Sequence, residues 1–327
     1  MTTLALQSTN YYTNEIVNEF EFSEELLKEY EKQLQCTDAT KQTYMQGINY
    51  FFNWLKKENI NYVGENTLYD YKQHLIRHYD EEKRDYVMYS NSTINTLVVS
   101  LKRFYKFLER KGIYNTAKEL KGTKTSRTHK RGALTIQQVR AIYDAVDINT
   151  LEGKRANAII HLLITSGLRE CEVVRANICD MQNNGNARVL KVQGKGRDEK
   201  DEFVILTAST QKAINEYLNA RGVNNTSEPL FTSISDRNNG ARLQTRTIRN
   251  IVKSLYHQVG IYDENITTHS TRHTAITLAI ESGKTLPEVQ ALARHTNINT
   301  TMIYQHAYDK VNSNCESAIE KLIESAC

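Results

Sequence analysis

Through the first third of the chain, apolar side chains recur every three or four positions, the spacing that gathers them on one face of a helix. Leu26, Leu27, Tyr30 and Leu34 open the pattern. Ser23 stands before them as a candidate N-cap, with Glu24 and Glu25 in the first turn, where negative charge suits the helix dipole. A second helix is expected over 39–57 through Tyr44, Ile48, Phe51, Phe52 and Leu55, and a third over 67–79. A fourth is expected over 92–111 through Leu97, Leu101, Phe104, Tyr105 and Leu108. Two segments echo each other, GINYFFNWL at 47–55 and SLKRFYKFL at 100–108. Each sets paired aromatics on a helical face and reads as a core stripe; one echo is too little for a repeat architecture.

The second half is more mixed. Thr135 and Gln138 have capping-box form and open a helix running to about 146. A helix over 154–166, rich in Ile and Leu, reads as buried. Then RVLKV at 188–192 and FVIL at 203–206 are short β-type runs joined by a Gly- and charge-rich stretch, a hairpin with a mobile tip. Helical spacing returns over 210–220, 245–258, 271–281 and 286–293. The two prolines, Pro229 and Pro287, leave the helices largely unbroken. The expected fold class is mainly α: an N-terminal four-helix domain, then a mostly helical domain carrying a small antiparallel β-sheet.

Length fits this division, since 327 residues suffice for two domains with separate cores. Residues 1–22 have no basic n-region and no apolar run, and no stretch of roughly 18 apolar residues occurs anywhere, so neither a signal peptide nor a membrane span is expected. The five cysteines are scattered, odd in number and without C-x-x-C spacing. That favours reduced thiols in a cytoplasm over a disulfide framework, and no zinc or other metal site is expected. Net charge is only +4, but its distribution is uneven. Lys118, Lys121, Lys124, Arg127, Lys130 and Arg131 face the single acid Glu119, in a segment with Gly122 and Gly132. This reads as a flexible basic linker over 117–132; taken alone, a solvated loop and a phosphate-contacting strap are equally open. Residues 1–22 carry Glu15, Glu19 and Glu21 and no base, so they are not expected to grip a polyanion.

Five segments of the second half carry reactive side chains: TSGLRECE at 165–172, GKG at 194–196, HSTR at 269–272, ARH at 293–295 and TTMIYQH at 300–306. Each alone says little among 19 tyrosines and 42 basic residues. A lone lysine between glycines is commonly a solvated turn, and a lone H-x-x-R a helix-surface pair. Their order and spacing carry the signal. The constellation resembles the tyrosine recombinases, also called the phage integrase family, whose pattern runs G-L-R-x-x-E, a hairpin G-K-G, H-x-x-R, G-H and a tyrosine nine residues on. Arg169 and Glu172 match the first box, Lys195 the hairpin, His269 and Arg272 the third box, His295 the fourth, and Tyr304 lies 304 − 295 = 9 positions later. His273 and His306 stand beside the set as supporting candidates. One position departs: Arg294 stands where the family usually has glycine, and is expected to shift the local backbone or to add a phosphate contact.

The resemblance covers about 23–310 and implies a division into a 1–22 extension, a SAM-like core-binding domain at 23–116, the linker, a catalytic domain at 133–308 and a tail at 309–327. It implies DNA strand cleavage without a cofactor. Arg169 and Arg272 offer permanently charged planar forks for the non-bridging oxygens of a phosphorane, and His295 a further hydrogen bond. Tyr304 is the implied nucleophile, His269 the general base, Lys195 the general acid for the leaving 5′-oxygen, and Glu172 an orienting carboxylate or a helix salt bridge. A 3′-phosphotyrosyl bond stores the energy of the broken linkage, so rejoining needs no ATP. The implied partner is double-stranded DNA with inverted-repeat core sites, bound by a homotetramer that is monomeric in solution and passes through a Holliday junction. Lys121, Lys124, Arg127, Lys130 and Arg131 of the linker are candidate DNA contacts, as are Arg242, Arg246, Arg249 and Lys253; the last three share one helix face, where a solvated face is the equal alternative. The apolar stripe Ala318, Ile319, Leu322 and Ile323 is expected to dock on a neighbouring protomer. With so short an N-terminal extension, a simple type without an arm-binding domain is expected. A type IB topoisomerase-like enzyme and an inactive DNA-binding regulator are the alternative readings. Integration or excision of a mobile element and replicon dimer resolution are both open.

Overall fold

The computed structural model describes residues 24–124, 132–194, 197–223 and 225–325, with the backbone of two strands at 6–10 and 15–19. The chain forms two compact units, Met1–Ser126 and Arg127–Cys327. Among the described residues no helix is long and apolar enough to cross a membrane.

In the first unit, β1 (Leu6–Asn10) and β2 (Glu15–Glu19) make an antiparallel hairpin, and β2 pairs with β3 (Tyr62–Val63). The segment read only as an acidic extension therefore supplies two strands. The four expected helices are present as α1 (Glu24–Gln33), α2 (Asp38–Lys57), α3 (Glu65–Ile76) and α4 (Asn91–Glu109). The third stops early. Arg77 turns extended, and the chain enters an antiparallel hairpin of β4 (His78–Asp80) and β5 (Asp85–Val87). Asp80 fixes its turn by accepting the backbone N–H groups of Glu82 and Lys83.

The core of this unit is aromatic. Tyr30 and Phe104 meet edge to face at 5.2 Å, Phe51 and Tyr71 at 4.9 Å, and Phe52 and Phe104 at 5.6 Å, the arrangement the ring quadrupole favours. The two echoed segments lie on α2 and α4, and their first residues, Gly47 and Ser100, face each other. A Cβ on Gly47 would stand 2.5 Å from Ser100 Oγ and 2.6 Å from its Cβ. Ser100 is fully buried and its hydroxyl donates to Thr96 O, so it has nowhere to withdraw. Gly47→Val is therefore expected to cost roughly 1–3 kcal/mol by overpacking, read as a lower urea midpoint. An unchanged midpoint would mean the helices can part here.

Residues 117–124, the first half of the segment read as a flexible linker, are laced onto α3 and α4. Asn95 Oδ1 accepts the Thr123 N–H at 2.7 Å while Asn95 Nδ2 donates to Thr123 O at 3.0 Å. Asn91 donates to Lys124 O, Lys102 to Leu120 O and Lys72 to Gly122 O. Lys121 and Lys124 remain exposed. Arg127, Lys130 and Arg131 lie outside the described residues.

The second unit begins with α5 (Ile136–Asp144), opened by the expected capping box: Gln138 N–H donates to Thr135 Oγ1 and Thr135 N–H to Gln138 Oε1. Next comes α6 (Leu151–Ser166), the central helix, on which Ala158, Ile159, Ile160, Leu162 and Leu163 are fully buried. After α7 (Glu170–Arg175), strands β6 (Met181–Asn184), β7 (Ala187–Val192) and β8 (Glu202–Ile205) form an antiparallel sheet in that order. Strand β6, with the polar sequence MQNN, was not anticipated. Then follow α8 (Ala208–Arg221), α9 (Thr245–Gln258), α10 (Thr268–Glu281), α11 (Leu286–Ala293), α12 (Ile298–Asn312) and α13 (Cys315–Glu324). Helices α8, α9 and α10 pack on α6. A small separate core of Ile276, Ile280, Val289 and Ala293, with Tyr304 and Tyr308 against it, joins α10, α11 and α12. On α13, Ile319, Leu322 and Ile323 are exposed.

Candidate active site

Three structural facts bring distant boxes together. Helix α6 ends at Gly167 in the left-handed conformation (φ 57°), and a Cβ there would already touch Ala275. Its carbonyl is thereby turned toward α10 and accepts Arg272 Nη1 at 2.6 Å. Arg272 Nη2 donates to Ala293 O, the last residue of α11. With 2% of its surface exposed, Arg272 thus binds the ends of two helices from within a third.

Arg169 is the N-cap of α7. Glu172, one turn on, is fully buried. Its Oε2 accepts the Arg169 backbone N–H at 2.8 Å, and its Oε1 accepts Arg169 Nη1 at 2.9 Å. The carboxylate therefore caps its own helix and holds the guanidinium. Arg175, at the end of α7, donates to Gly194 O.

Tyr304 sits on α12, packed on the small core shared with α10 and α11. Its hydroxyl is hydrogen-bonded to Nδ1 of His273, the residue after Arg272. His269 stands one turn earlier on α10, its ring edge-on to His273 at 4.8 Å between centroids. His295 Nδ1 and Thr301 Oγ1 share a hydrogen bond of 2.9 Å, which fixes the imidazole at the start of α12. Burial pushes the Tyr304 phenol up to about 12, with the positive field of Arg272 pulling the other way. Arg272 is pulled down to about 10, first by burial and then by repulsion from Arg169 and Arg294, with Glu172 and Tyr304 opposing. These mutual fields tie both arginines and the phenol into one electrostatic cluster.

Several expected residues fall elsewhere. His306 lies two positions past Tyr304, roughly 200° round the helix, and is exposed, so it is not brought to the cluster. Lys195 lies outside the described residues; in the chain it falls between β7 and β8. Arg294 does not reach out for a phosphate: its side chain is 5% exposed and donates inward to Glu172 Oε2 at 2.7 Å. Spacing alone does not give the inward direction of this side chain. The direct contact of His273 with the phenol was also missed, because an i, i+1 neighbour of Arg272 carries no spacing signal of its own.

The second unit and its neighbour match known families. Residues 133–310 match the phage integrase family, and 21–112 match the phage integrase N-terminal SAM-like domain. This chain belongs to the phage integrase family. Its relatives include a tyrosine recombinase of Synechocystis sp., 33% identical over 216 residues (65% of this chain, 67% of the relative). Tyrosine recombinase XerC of Pelobacter propionicus is 31% identical over 210 residues (64% and 67%). Among solved structures, XerH site-specific recombinase bound to palindromic difH substrate, a post-cleavage complex, shares the fold with a TM-score of 0.68 at 20% identity, over 90% of this chain and 84% of that one. This phage integrase family member is accordingly a tyrosine recombinase, an enzyme of DNA strand breakage and rejoining.

On α9 of this recombinase, Arg246, Arg249 and Lys253 are all exposed, and Arg249 Nε pairs with Glu170 at 2.6 Å. Arg242 is exposed, and its guanidinium donates to Val174 O, Ala176 O and Asn177 Oδ1, bracing the end of α7. Arg249, Lys253 and His257 of α9 share an open cleft of about 790 Å³ with Glu170, Thr268 and His269.

Proposed function

We propose that this chain is a site-specific recombinase whose Tyr304 attacks a scissile phosphate held by Arg169 and Arg272. The carrying observation is that the Tyr304 hydroxyl is bonded to His273, next to the buried Arg272, which feels the charge of Arg169. In the step, the phenol oxygen bonds to phosphorus and the 5′-oxygen leaves, giving a 3′-phosphotyrosyl bond. The phenolic proton passes to His269, and Lys195 returns a proton to the leaving oxygen. His295 hydrogen-bonds a non-bridging oxygen. Glu172 orients Arg169, and His273 holds the phenol until DNA arrives. Reversal with a 5′-hydroxyl from a second duplex completes exchange through a Holliday junction.

The reading extends to the assembly. The core-binding domain at 23–116 and the catalytic domain at 133–308 grip a duplex with inverted-repeat sites, Lys121, Lys124, Arg246 and Lys253 meeting phosphates. Four protomers assemble on two sites, with the tail at 309–327 docking its exposed Ile319, Leu322 and Ile323 on a neighbour. Work in the cytoplasm on a mobile element or on replicon dimers is in keeping with this chemistry.

The test is a duplex nicked near the scissile phosphate, which releases the cleaved end and traps the adduct. A denaturing gel should show the chain bound to DNA, with peptide mapping placing the phosphotyrosine in the segment containing Tyr304. Supercoiled circles with two sites should yield exchanged products; relaxation without exchange would overturn the recombinase reading in favour of a topoisomerase.

A further inference from the structure

Arg294 has a backbone conformation that glycine adopts without strain. It closes α11 at φ 51° and ψ 47°, in the left-handed region where an L side chain carries strain that glycine does not. Something must hold it there, and its side chain makes specific inward contacts. Nη2 donates to Glu172 Oε2 at 2.7 Å, and Nη1 donates to Leu292 O at 3.1 Å and Ser166 O at 3.4 Å. Nε stands 3.5 Å from Glu202 Oε2 on β8, within ion-pair reach but not aligned for a hydrogen bond.

Glu172 gains most from this. A fully buried carboxylate is costly unless its oxygens are well paired. Oε1 has Arg169 Nη1, and Oε2 has the Arg169 backbone N–H together with Arg294 Nη2. A glycine at 294 would remove the second guanidinium and leave Arg169, among the described residues, as the one guanidinium hydrogen-bonded to the carboxylate, drawing its charge toward Glu172 and away from a bound phosphate. We infer that Arg294 is a positioning residue: acting through Glu172, it fixes the Arg169 fork and leaves more of its charge for the scissile phosphate. Through Glu202 it also anchors this box to the sheet. The inference rests on the reading of Arg169 as a phosphate-binding group.

The test compares single-turnover cleavage at saturating DNA for wild type, Arg294→Gly, Arg294→Lys and Arg169→Ala. Each is run on nicked duplexes with either an ordinary scissile phosphate or a methylphosphonate, which lacks one charged oxygen. Arg294→Gly should fold, because glycine suits the backbone, yet cleave the ordinary phosphate roughly 10–100-fold more slowly, the usual scale for a displaced catalytic group. Its deficit should shrink on the methylphosphonate, and Arg294→Lys should recover part of the rate. An equal deficit on both substrates, or none, would overturn the inference. Arg169→Ala serves as the control for the underlying reading: an equal deficit on both substrates there would show that Arg169 does not balance phosphate charge at all.

Discussion

Tyr304→Phe is expected to form no covalent adduct with the nicked duplex, while its affinity for that duplex stays within about twofold, since one partly buried hydroxyl adds little to an interface built on phosphate contacts. The loss should be complete because no rearrangement of charge substitutes for the missing oxygen. Stability should change little: the hydrogen bond to His273 contributes about 1 kcal/mol net, and a buried hydroxyl is removed with it. Burial holds this phenol above its ordinary range, so the free chain favours the protonated hydroxyl. The sign of the pH effect follows. The folded value lies above the ordinary value of about 10, so the folded state favours the neutral phenol. That contribution to stability is full below pH 10 and is lost as pH rises toward about 12. Wild type should therefore lose more stability than Tyr304→Phe across this window in alkaline denaturation. An adduct that persisted in the variant would point to another nucleophile.

Much of this arrangement was written in periodicity and spacing. The helices at 245–258 and 286–293 end where the apolar pattern ends, and the capping box at Thr135 forms both of its bonds. What stayed hidden depended on tertiary contacts that no local pattern encodes. Strand β6 is polar and exposed because it lies at a sheet edge, paired among the described residues with β7 alone. Helix α3 ends early although its apolar spacing continues, because the chain is drawn into the β4–β5 hairpin. At the site, spacing brought Arg169, Arg272 and Tyr304 into one list, but not the direction of each side chain. Arg294 reads equally well as a solvent-facing cation. A buried carboxylate 122 residues away in the chain claims it instead.

Arg272→Ala is expected to lower cleavage by roughly 10²–10³-fold or more, the scale for removing a preorganised donor at a developing oxyanion, and to cost about 2–5 kcal/mol of stability. The second effect comes from Gly167 O and Ala293 O, two carbonyls inside the protein that would lose the donor joining α6 and α11 to α10. Arg272→Lys should not rescue cleavage. An ammonium keeps the charge but cannot span both carbonyls and still present a planar fork to a phosphate. The two deficits can be separated by ligand. Arg272 is held at a depressed value by burial and by its neighbouring arginines, so the folded protein bears an unfavourable charge that an anion would relieve. Binding cognate duplex should therefore raise the thermal midpoint more in wild type than in Arg272→Ala, beyond what equal affinities would give. If both proteins gained the same stability at the same free DNA concentration, Arg272 would be a structural strut between helices and not the group that receives the phosphate.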